Sequence, residues 1–207
     1  MFGLTKSELA IFKPLTTPIK IQNWLDKFPI NWEKRGDTYM SPRRALRAGK
    51  MHCLEGALCA AVALWLHDEP PLVLDLKAAG DDDHVVTLYK RHHRWGAISK
   101  TNHATLRWRD PVYKTVRELA VSYFHEYFVN QTGAKVLRSF SRPVNLARFG
   151  AGWITAEENL DYIAEAIDEA PHQLIFPSPL ARYLRPADTM EKKAGRLIEW
   201  KRSNWRT

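Results

Sequence analysis

The 207-residue chain has only two cysteines, Cys53 and Cys59, six positions apart in one apolar segment. On a helix that spacing turns the side chains roughly 600° around the axis and separates them by about 9 Å along it. A disulfide requires Cα atoms closer than about 7 Å, so no bridge is expected and the chain does not rest on a disulfide framework. Free thiols suit a reducing compartment. The N-terminal stretch MFGLTKSELAIFKPLTTP lacks the pattern of a signal peptide, so the expected location is the cytoplasm. Long apolar runs are missing too. The most apolar, Ala57 to Leu66, is too short to span a bilayer, which excludes a membrane partner through that route. There is no internal repeat, no P-loop and no dinucleotide fingerprint, so no cofactor is expected. His125-Glu126 lacks a second histidine four positions after the first, which excludes a zinc-protease helix.

What is present is a globular composition, 45% hydrophobic and 11% aromatic, with a formal net charge of +8. Lysine and arginine are scattered, with short clusters such as Arg43-Arg44 and Lys192-Lys193. That balance allows an acidic partner. Nucleic acid has little support, because Arg107-Trp108-Arg109 is too short a mixture of basic and aromatic residues to form a binding stripe.

Thr5 with Glu8 reads as a capping box before a helix that Pro14 ends, and Pro18 opens a second helix to Phe28. Ser41-Pro42 starts a third, and Gly49 stops it. Cys53 to His67 is apolar nearly all round and reads as a central helix. Strands are expected at Leu72 to Leu76, Val85 to Tyr89 and Trp95 to Ile98, the last two joined by a tight Arg-His-His-Arg turn. Asp110-Pro111 reads as the start of a long amphipathic helix to Phe128. Thr155 with Glu158 opens another helix to Asp168, Pro171 to Pro186 reads as an extended strap, and Asp188 to Trp200 as a charged helix. The order argues for an α+β fold with a small antiparallel sheet, in a single domain over residues 1–207. Its core is expected over about residues 15–140, with 141–207 as a helical and strap extension.

The chemistry concentrates at Cys53. A helix N-terminus favours thiolate through its unpaired N–H groups and dipole, and Lys50 and His52 stand beside it in sequence. Cys59, mid-helix among alanines and leucines, reads as an inert core thiol. A thiol nucleophile needs a base, and His84 opens a strand after Asp81, Asp82 and Asp83. Glu55 can touch the site or pair with an arginine. Gln22 is a candidate oxyanion donor, and Trp24, Trp32, Trp95 and Trp108 are candidates to line a cleft. Asp81 to His84 with His92, His93 and His103 invites a metal reading, but the spacings match no zinc pattern, so no metal is expected.

Cys53-Leu-Glu-Gly-Ala, Leu72-Val-Leu-Asp-Leu, His84-Val-Val-Thr-Leu-Tyr and Trp95-Gly-Ala-Ile-Ser-Lys-Thr-Asn follow one another in this order. The arrangement resembles the transglutaminase-like superfamily, related to papain-like proteases and arylamine acetyltransferases, over roughly a quarter of the chain. The family has a cysteine at the start of a central helix, a short strand, a histidine opening the next strand and an aspartate at the end of the third. The resemblance implies a papain/transglutaminase-like α+β fold and a thiol-dependent acyl-transfer or amide-hydrolysing enzyme acting on peptide or amide substrates, with Cys53 as nucleophile and His84 as base. It departs at the third member. Registering on Trp95 puts Ser99 in the aspartate's place; Asn102 can orient the histidine as asparagine does in papain-like enzymes, and Asp75 is a weaker choice. The other reading is a catalytically inactive binding or scaffold module on the same fold.

Overall fold

A computed structural model describes residues 1–33, 36 and 38–197. Three short helices precede the central one: α1 (Lys6–Phe12), α2 (Pro18–Leu25) and α3 (Pro42–Ala48). Each starts where the sequence supplies a cap. Thr5 and Glu8 form a capping box, Thr17 and Ser41 accept first-turn N–H groups, and Pro18 and Pro42 take the first helical position. Gly49 ends α3 in the left-handed conformation, at φ 65°. Helix α4 (Cys53–Leu66) follows, with every residue from Leu54 to Leu64 buried.

The sheet is open, antiparallel and seven-stranded, built from β1 (Leu72–Ala78), β2 (His84–Arg91), β3 (Arg94–Ile98), β4 (Arg109–Tyr113), β5 (Leu137–Ser141), β6 (Val144–Asn145) and β7 (His172–Leu174). Its order is β4-β3-β2-β1-β5-β7, with β6 also paired to β1. Helices complete the chain at α5 (Val116–Val121), α6 (Asp161–Asp168) and α7 (Thr189–Gly195). Alternation along β1 and β2 divides the interior into two clusters. Val73, Val85 and Tyr89 pack with α4 on one face, while Leu74, Leu76, Val86 and Leu88 pack with Leu119, Tyr123 and Phe124 on the other. Both faces of the central strands are therefore covered. The α4 cluster recruits residues from both ends of the chain, including Leu4, Phe12, Trp153, Ile163 and Ile167.

Several expected elements are different. The long helix from Asp110 is absent; Arg109–Tyr113 instead forms β4 at the sheet edge, pairing Trp95 with Tyr113. Proline at 111 is compatible with an edge strand, and Val112, which counted toward an apolar helix face, is 63% exposed. Only Val116–Val121 is α-helical, capped by Thr115. The helix expected from Thr155 begins at Asp161, because residues 155–160 are held as a connection. Arg47 pairs with Glu157 at 2.9 Å and Ser41 donates to the Ala156 carbonyl at 2.6 Å. The strap carries β7 on the β5 edge and a 3-10 turn at Ser178–Tyr183, and β5 itself lies outside the expected strands. The charged helix starts at its Asp188 cap and is seen to Gly195; its expected end at Trp200 lies outside the described residues. Among the described residues, no helix is long and apolar enough to cross a membrane.

Candidate active site

Cys53 is the first residue of α4 and is partly exposed, and both cysteines are free. The residue before it is the helix cap. His52 Nδ1 accepts the Leu54 N–H at 3.2 Å and stands 4.0 Å from Cys53 Sγ. Its Nε2 donates to the Thr38 carbonyl at 2.5 Å and lies 3.4 Å from Glu33 Oε1 and 3.5 Å from Glu55 Oε1. Glu55 is completely buried and closes the cap by accepting the His52 backbone N–H at 3.0 Å. It also receives Thr38 Oγ1 at 3.0 Å, Asn31 Nδ2 at 3.3 Å and the Met40 N–H at 3.3 Å. Its partners among the described residues include no arginine, contrary to the pairing considered above.

His84, at the mouth of β2, shares a cleft with Cys53 and is 5% exposed. The β2–β3 hairpin that carries it turns at His92 and His93, both with positive φ, so these two lie at its far end from the thiol. His84 Nε2 is 2.8 Å from Ser99 Oγ, one residue past β3. The Ser99 hydroxyl itself donates to the Leu106 carbonyl at 3.0 Å. A serine has one hydrogen to give, so the remaining contact has Nε2–H donating to Oγ, which leaves Nδ1 as the acceptor nitrogen of His84. Gln22 holds the Ser99 backbone from both sides: Oε1 accepts its N–H at 2.9 Å and Nε2 donates to its carbonyl at 2.9 Å. The other amide hydrogen goes to Asp26 at 2.9 Å, so Gln22 positions Ser99 and has no donor left for an oxyanion. Asn102 lies on the cleft wall and, among the described residues, makes no hydrogen bond to His84. Asp75 is bound instead to His172 Nε2 at 3.0 Å.

Burial pushes the Cys53 thiol up, but hydrogen bonds from His52 and His84 and the charge on both rings outweigh it, and the pKa falls to about 5. Burial pushes His52 down, and its bond to Cys53 with the charges of Cys53 and Glu55 reverses this, raising it to about 9. Cys59 has no such company, and burial drives its thiol well above the ordinary range.

The site opens into a cleft of about 900 Å³. Its walls include Asp81, Asp82, Asp83, Asp161, Glu165 and Asp168; among the described residues Lys100 is the one lysine or arginine there, and its Nζ donates to the Phe28 carbonyl at 2.5 Å. Asp75, Asp83 and Asp168 bring carboxylate oxygens within 4.8 Å of one another, but Lys77 is bonded to Asp168 and His172 to Asp75. Of the four tryptophans considered, Trp32 lines the cleft. Trp24 packs on Phe28, Trp95 lies under Lys90, and Trp108 stacks on Tyr89. Arg109 is bonded to Glu126 and covers the Tyr123 ring at 4.0 Å, so it is committed inside the fold. The contacts around Glu55 and the Gln22 clamp were not foreseen. The one signal was His52 with Glu55 three positions later, a capping-box spacing disguised by histidine at the cap. No protein-family model matches the chain, and no curated protein sequence matches it.

Proposed function

We propose that the chain is a thiol-dependent acyl-transfer or amide-hydrolysing enzyme of transglutaminase-like type, with the papain-like variant of the α+β fold, working in a reducing compartment such as the cytoplasm. The observation that carries this reading is Cys53 at the start of α4 and His84 at the mouth of β2 on the walls of one cleft, with the His84 ring held by Ser99 in the tautomer that leaves Nδ1 as its acceptor nitrogen. Cys53 sulfur attacks the carbonyl carbon of an amide. The C–N bond breaks, His84 gives the departing amine a proton held on Nδ1, which the acceptor restores in each cycle, and a thioester remains on Cys53. Water or an amine then attacks the thioester, gives its proton to His84, and releases the thiolate. The Cys53 N–H belongs to the first turn, where no intrahelical acceptor exists, and serves the oxyanion in place of Gln22. The acidic walls favour substrates carrying positive charge near the reacting amide, which turns the expectation of an acidic partner away from this cleft.

The neutral Ser99 favours a second reading, an inactive binding module. Iodoacetamide separates the two. An active site of this kind alkylates Cys53 at about pH 6 far faster than a model thiol, and a rate no faster than the model thiol sinks the enzyme reading.

A further inference from the structure

Ser99 orients His84 but brings no charge, so it does not supply the anion that steadies an imidazolium in a cysteine–histidine pair. Carboxylates do stand close to His52. We propose that His52, backed by Glu55 and Glu33, is the counter-ion that holds Cys53 as thiolate, leaving His84 and Ser99 to carry protons to and from the substrate. This rests on the thiol-enzyme reading above and divides its labour between two histidines.

The geometry supports the division. His52 is fixed at three points: Nδ1 toward the helix start, Nε2 on the Thr38 carbonyl, and the backbone N–H on Glu55. The ring is held in place, and Nδ1 is the nitrogen nearer to Sγ, at 4.0 Å. When the thiol ionises, the S–H bond breaks and an Nδ1–H bond forms, the ring giving up the Leu54 N–H that Nδ1 accepts in its neutral form, and a thiolate and an imidazolium result with no change in total charge. The Nε2–H keeps its bond to Thr38, and the new positive charge sits within 3.5 Å of Glu33 and Glu55 oxygens. An opposite charge at such distances lowers an acid's pKa by about 1 to 3 units. The other titratable groups lining the cleft beside the pair include His84 from β2, Tyr127, Asp81, Asp83, Lys100 and His103. Of these, His84 also acts to lower the Cys53 pKa.

The test is the pH profile of Cys53 alkylation by iodoacetamide, read by mass spectrometry of the labelled peptide, in wild type, H52N, H84N and E55Q. Asparagine is a good helix cap and glutamine keeps the third capping position, so both changes remove charge while keeping the cap; melting followed by circular dichroism checks that each variant folds. H52N is expected to raise the alkylation midpoint by more than about 1 unit, and by more than H84N does. E55Q is expected to raise it by a smaller amount. A shift in H52N no larger than in H84N overturns the assignment, as does an unmoved midpoint in folded E55Q. A wild-type midpoint near about 8.5, the ordinary thiol value, sinks the thiol-enzyme reading itself. A depressed midpoint that H52N leaves in place sinks only the role of His52.

Discussion

Cys53 and Cys59 sit on the same helix, six residues apart, and are driven in opposite directions. Cys59 has no donor to its sulfur among the described residues, and burial, with the charge of Glu55 adding to it, holds the thiol protonated. Cys53 meets burial as well, but it stands in the first turn with an imidazole on either side. The residue type is the same; the end of the helix and the strand mouth it faces make the difference. The comparison breaks most directly by labelling both thiols in one sample. At about pH 6 and short exposure, Cys53 is expected to label more than about a thousandfold over Cys59, and comparable labelling of the folded protein would erase the distinction.

Ser99→Ala removes part of what makes Cys53 different while leaving Cys59 untouched. It strips the acceptor from a buried Nε2–H and frees the His84 ring to turn. Once a substrate is in hand, kcat is expected to fall roughly tenfold to a hundredfold, in keeping with about 1 to 3 kcal/mol for an unmet buried donor. Labelling of Cys59 should not change. A variant with full turnover would show that Ser99 merely fills space. A smaller effect concerns the cleft walls. Amide substrates with lysine or arginine beside the reacting group are expected to exceed acidic ones by about tenfold in kcat/KM at low salt, with the gap closing near about 0.5 M salt. A preference for acidic substrates would reverse the assignment of the cleft.

The two thiols were not equally legible. Cys59 needed only its apolar neighbours. For Cys53, the order of helix start, strand and histidine could be read along the chain, and counting from Trp95 led to Ser99 because the hairpin register is regular from Arg91–Arg94 to Thr87–Ile98. What could not be read comes from afar. Gln22 clamps a residue 77 positions away, and nothing local marks it. Asp161, Glu165 and Asp168 share a helix face by their spacing, but only the fold brings that face to the cleft. Gly56 looks like a weak point in a helix; it is where α4 comes so close to Lys100 that a Cβ would lie 2.3 Å from the lysine's own. The misread helix at Asp110 failed for a related reason, since an apolar, proline-containing stretch suits a sheet edge once a partner strand is there to receive it.

The smallest predicted effect sharpens the comparison through stability. His52 is raised from 6.5 to about 9, so its contribution is complete below pH 6.5 and lost as pH climbs through 9. Cys53 is lowered from 9.0 to about 5, so its contribution is complete above pH 9.0 and lost as pH falls through 5. Between pH 6.5 and 9.0 one declines while the other grows, because folded and unfolded chains each hold one proton on the pair. The pair therefore adds no pH dependence in that window and begins to destabilise below pH 6.5, where the unfolded histidine takes a proton and the folded thiolate does not. Cys59 behaves otherwise. Its folded thiol resists ionisation, so stability linked to it is complete below pH 9.0 and declines above. Melting temperatures of wild type, a C53A/H52N double variant and C59A across pH 5 to about 10 resolve the two patterns. The difference between wild type and the double variant should be flat through neutrality and narrow in acid, while the difference from C59A should change in base. A difference from the double variant that slopes steadily through neutrality would mean that thiolate and imidazolium do not form as a pair.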